Sequence, residues 1–149
     1  MLFRSYERLS SISLSLFWIA GIAGLYFISL VKDIPKFIPW ALALAGLFLI
    51  LEAVVPSAAV KLILVFLFGF TCAPMYSNLS YLGGKLFPEM SGMSYSLMLF
   101  SASLGGIIVQ PVVGEITTRI SISGVYIIFG VILLFTALLP YIAKQIRNR

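Results

Sequence analysis

Apolar and polar positions do not alternate along this chain. They separate into long uncharged runs and short charged clusters. The clusters are Arg4/Glu7/Arg8, Lys32/Asp33/Lys36, Glu52 and Lys61, Lys85/Glu89, Glu115/Arg119, and Lys144/Arg147/Arg149. Between them lie runs of 23 residues (9–31), 15 (37–51, reaching 55 across Glu52), 23 (62–84), 25 (90–114) and 24 (120–143). About 20 apolar residues carry an α-helix across the hydrocarbon core of a bilayer. The pattern therefore predicts five transmembrane helices, at about 9–31, 37–55, 60–85, 91–114 and 120–143, in one all-α domain over residues 1–149. Lipid-spanning strands are excluded, because they would show alternating polarity in segments of roughly ten residues. The first run is longer than a signal-peptide core of about 7–15 residues, and no small-x-small cleavage site follows it, so it is expected to remain in the mature protein.

Composition confirms the solvent. The chain is 61% hydrophobic and 10% charged, with a mean hydropathy of +1.11, which leaves no polar shell for a water-facing surface. The lipid bilayer is the expected surroundings, and the expected localisation is the cell (inner) membrane. Of the ten Lys and Arg residues, Lys32, Lys36, Lys85, Lys144, Arg147 and Arg149 fall on one side of the five spans, and Arg4, Arg8, Lys61 and Arg119 on the other. The positive-inside rule then gives a cytoplasmic C-terminus. An odd number of spans puts Arg4 and Arg8 outside, an awkward position that leads to the expectation that something normally precedes Met1.

The net charge of +5 does not indicate nucleic acid, because the basic residues sit at the ends of spans and form no stripe interleaved with aromatics. Chemistry is limited by inventory. The chain has no His, a single Asp (Asp33) and a single Cys (Cys72), so a Ser-His pair, an HExxH zinc site, an aspartate pair and an internal disulfide are all impossible within it. No Walker-type glycine loop is present. The expectation is a protein that is not an enzyme and holds no metal and no cofactor, with Cys72 a small interior residue.

The remaining polar chemistry lies inside the spans. At 100° per residue, Thr71, Pro74, Asn78, Tyr81 and Lys85 fall within about 80° of one another on the third helix. Gly69, Ala73, Ser80 and Gly84 fall on the other side, where small residues let helix backbones approach. The polar stripe is expected either to face a water-filled path or another polar helix, or to be satisfied by neighbouring backbone with only Asn78 seeking a partner across an interface. On the fourth helix Tyr95, Gly106 and Gln110 share a face about 60° wide. That helix is rich in small residues, among them Gly105, Gly106 and Gly114, and is read as ending in a turn at Pro111, with a bend about one turn before it. Packing accounts for the glycines as well as a mobile interface does. The substrate-path candidates are Tyr76, Asn78, Tyr95 and Gln110; the packing and hinge candidates are Gly69, Pro74, Gly105, Gly106, Pro111 and Gly114. Glu115 and Arg119, four apart with the acid first, are expected to pair at a membrane boundary. Glu52, about one turn inside the end of the second span, is expected to reach water, and proton coupling through it is one reading.

These residues also carry a resemblance. The segment Leu67-Phe-Gly69-Phe-Thr-Cys-Ala73-Pro74-Met-Tyr76-Ser-Asn-Leu-Ser80, then Lys85-Leu-Phe87-Pro88-Glu-Met-Ser-Gly92, then Leu104-Gly105-Gly106-Ile-Ile-Val-Gln-Pro111-Val-Val-Gly114-Glu, resembles the tenth and eleventh helices of the major facilitator superfamily and the loop between them. Upstream, Leu16-Phe17-Trp18-Ile-Ala-Gly21-Ile-Ala-Gly24 resembles the eighth helix of its fucose-permease-like branch, with Leu25 standing where that branch has an arginine. The resemblance implies helices eight to twelve of a twelve-helix secondary carrier for a small solute, a sugar or other small metabolite, with the first seven helices or a partner subunit supplying the missing N-terminal half. Such carriers bind substrate at mid-membrane and alternate access by rocking one half against the other. Pro111 and the small residues would then form a mobile interface. The alternatives are a five-helix structural or accessory membrane protein, and half of a drug/metabolite transporter, the latter suggested by Gly114-Glu115 before an apolar last helix.

Overall fold

The computed structural model describes the backbone of residues 2–31 and 33–147, and the side chains of residues 11–31, 33–34 and 36–139. It contains five long helices: α1 (Leu2–Ser29), α2 (Ile34–Val54), α3 (Ala58–Leu86), α4 (Ser91–Arg119) and α5 (Ile122–Arg147), with one short 3₁₀ turn, Pro88–Met90, between α3 and α4. All five are long and apolar enough to cross a membrane, and no strand occurs among the described residues. The chain is an integral membrane protein. The side chains of Arg4, Arg8, Lys144 and Arg147, and residues Lys32 and Arg149, on which the expected orientation rests, lie outside the described ones.

The helices differ from the expected spans mainly at their ends. α4 does not stop in a turn at Pro111 but runs two turns further, to Arg119. Two features hold that extension: the hydroxyls of Thr117 and Thr118 donate to the carbonyls of Gly114 and Glu115, and Arg119 pairs with Glu115 at 2.7 Å. α2 starts three residues early, at Ile34, because a proline in the first turn needs no N–H partner there. Lys36 closes back onto Asp33 at 3.2 Å.

Two tight helix pairs organise the bundle. α1 and α3 run parallel, with Phe17 against Gly69, Gly21 against Ala73 and Gly24 against Phe70 and Pro74. α2 and α5 run antiparallel and meet at Gly46 and Gly130, where a Cβ on either would fall 2.7 or 2.8 Å from the other's carbonyl oxygen. Such separations leave room only for Cα–H groups, which make weak reciprocal contacts to those carbonyls. The pairs join where α3 meets α2, around Ile38, Ala41 and Met75, with Ile34, Phe37, Leu42 and Leu82 packed about them. α4 stands apart. It meets α3 near the hairpin, with Gly83 against Ser94 and Met98, touches α5 sparsely, and has no buried residue.

Candidate functional site

α3 divides its polar residues between two environments. Thr71, Pro74 and Asn78 are buried, whereas Tyr81 and Lys85 on the same stripe are exposed. Tyr81 and Lys85 lie in the last two turns of α3, which ends at Leu86. Thr71 is satisfied within its own helix, its hydroxyl 3.0 Å from the carbonyls of both Leu67 and Phe68. Asn78, by contrast, is 3% exposed and its Nδ2 has no acceptor. Within these helices Thr71 and Asn78 are both enclosed, and Asn78 alone of the two is left seeking a partner.

Pro74 is fully buried and removes the N–H that the Phe70 carbonyl would otherwise accept. Gly24 of α1 lies directly against that carbonyl, so close that a side chain there would collide with it. Polar backbone freed inside lipid must be met by a neighbouring element, and the bare backbone of Gly24 does this. Gly69 and Pro74 therefore both lie in the α1–α3 contact. Gly105, Gly106 and Gly114 do not: a Cβ on any of them would meet nothing within 4 Å, and Pro111 is exposed. Their packing role is unfilled because α4 has neighbours only near its two ends.

Two of the four path candidates come together. The Tyr76 hydroxyl interacts with the Tyr95 hydroxyl and lies beside Ser80, whose own Oγ is buried without a hydrogen bond of normal geometry. Tyr76 also lines a cleft of about 580 Å³ between α3 and α4, together with Phe87, Met90, Met93, Leu97 and Met98. Its remaining hydroxyls come from Ser94 and Ser101, and Ser101 donates to the carbonyl of Leu97. Asn78 lies away from this cleft, and Gln110 is exposed further along α4. The methionine lining was missed in the sequence, although four of the five methionines fall between positions 75 and 98, a clustering that signals an adaptable apolar surface.

Glu52 is 8% exposed, with Lys61 near the start of α3 and Tyr126 near the start of α5 in electrostatic range. Cys72 is a half-buried free thiol on α3. No group of three potential metal ligands occurs among the described residues. No protein-family model matches the chain, and neither a curated protein nor a solved structure matches it.

Proposed function

We propose that these helices form part of a secondary transporter that moves a small solute by alternating access, with the solute path along the open face of α3 and α4. The observation that carries this reading is the state of α4: it presents Tyr95, Gly106 and Gln110 on one face and has no buried residue. An amide and a phenol inside a bilayer call for a polar partner or water, and glycines beside them leave the space. The resemblance to the major facilitator superfamily supplies the rest of the proposal, in which further helices, from the same chain or a partner subunit, stand opposite α4 and complete the path. The cleft favours one kind of solute. With an apolar, methionine-rich wall and hydroxyls mainly from Tyr76 and Ser94, it suits a small molecule with an apolar body and one polar end better than a sugar, whose many hydroxyls would go unpaired.

The test needs no knowledge of the solute. In a Cys72→Ser background, Tyr95→Cys and Gln110→Cys in native membranes should react with a membrane-impermeant maleimide, while Ile108→Cys, on the opposite side of α4, should not. Absence of reaction at both 95 and 110 would overturn the path.

A further inference from the structure

Four acidic residues have described side chains, and three of them are exposed. Asp33 and Glu115 are exposed and ion-paired, and Glu89 is exposed in the hairpin turn. Glu52 is the exception: it lies in the span Lys36–Val54, is more than nine-tenths buried, and makes no hydrogen bond or close ion pair among the described residues. It also sits in the last turn of α2, where the helix carbonyls present their negative end to it. An ionised carboxylate gains nothing from that surrounding. Hydrogen-bond donors and a favourable dipole are missing and little water reaches the side chain, and taking a charge into such a place is costly unless it is neutralised.

The surrounding groups define what neutralises it. α2 packs against α5 and α3, and the titratable groups these elements bring to Glu52 are Tyr126 and Lys61. Each is close to the start of its helix: Tyr126 lies four residues into α5 and Lys61 three into α3, so the cluster sits about one turn from the membrane boundary. The Lys61 ammonium is the counter-charge for the ionised form, and the neutral form needs none.

We propose that Glu52 is a proton-binding site: its carboxylate takes a proton from water at the membrane surface, forming the neutral acid, and returns that proton to water when the carboxylate is exposed to Lys61. Only an O–H bond forms and breaks. Combined with the transporter reading, on which this last step alone rests, Glu52 is where proton movement couples to solute movement. Its place at the end of α2, away from the α3–α4 cleft, makes that coupling act through the α2–α3 and α2–α5 contacts and not through contact with the solute.

Infrared titration of the full chain in lipid bilayers reads the site without any solute. Across the titration the spectrum should show the carbonyl stretch of a protonated carboxyl set apart in frequency from that of the water-exposed carboxyls, as the enclosed setting of Glu52 requires. Glu52→Gln should abolish that band and Glu115→Gln should leave it. A spectrum with no such separate band, or a band that Glu52→Gln leaves intact, would overturn the proposal. The coupling step has its own readout: in the transporting protein Glu52→Gln should preserve solute exchange and abolish proton-driven accumulation. Failure of the infrared result sinks the proton site alone; failure of the maleimide result on α4 sinks the solute path alone.

Discussion

Pro74 and Pro111 introduce the same defect into two helices, and their surroundings treat it in opposite ways. Each proline removes an N–H and leaves the carbonyl four residues earlier without its partner, Phe70 in α3 and Ile107 in α4. Around Pro74 the defect is covered: the ring is buried, and Gly24 brings the α1 backbone onto the Phe70 carbonyl. Around Pro111 there is no such neighbour among the described residues. Gly105 and Gly106 open onto empty space and Ile107 is 70% exposed. Both sites have the same components, a proline and nearby glycines, but at one the glycine belongs to the opposing helix and at the other the glycines wait on the same helix. The α3 arrangement is a finished interface; the α4 arrangement is left open, and under the proposed function it is one half of an interface.

The strongest way to break this comparison is to fill the glycine that covers the finished site. Gly24→Ala forces a methyl into the Phe70 carbonyl, and because backbone cannot retreat as a flexible side chain does, the variant should lose about 1–3 kcal/mol of stability. Denaturant unfolding in bicelles reads this directly. A Gly24→Ala protein as stable as the parent would mean that α1 and α3 are not locked at this contact.

The matching change on α4 should have the opposite sign. Gly106→Ala meets nothing within 4 Å, and alanine is the better helix former by about 1 kcal/mol at most, so the isolated chain should become slightly more stable. In native membranes, where the proposed partner helices stand opposite α4, the same methyl should instead impair the assembly. Equal behaviour in the two settings would remove the case for a partner on this face.

The sequence makes one side of the comparison far more legible than the other. Five helices follow from charge spacing alone, because a charge inside lipid is costly enough to mark nearly every boundary. α4 overran its expected end because Glu115 and Arg119 neutralise one another, so that the helix continues through the charges. Small residues on α3 could be read as a packing face, on which Gly69 lies against Phe17 while Gly84 meets nothing within 4 Å, and no periodicity on one helix reveals which partner lies opposite. The same rule gave Gly105 and Gly106 a packing role that the five helices do not fill. Asn78 shows the limit most clearly: helical angles put it on the polar stripe, but its enclosure depends on helices distant in sequence. Glu52 is similar, since its low exposure comes from the packing of α2 against α3 and α5 and not from its depth in α2.

The smallest effect is expected where the sequence was read most easily. Glu115 accepts from both Nε and a terminal nitrogen of Arg119, at 3.1 and 2.7 Å, yet both side chains are exposed at the end of α4. A pair in this position gains little in high dielectric and loses side-chain freedom, so Glu115→Gln should change stability by no more than about 0.5 kcal/mol. The measurement sharpens the comparison because it asks whether the end of α4 is truly wet. If Glu115→Gln cost several times that amount, the ion pair would have to be shielded from water in the membrane, and the open face of α4 would be covered along its full length by helices packed against it.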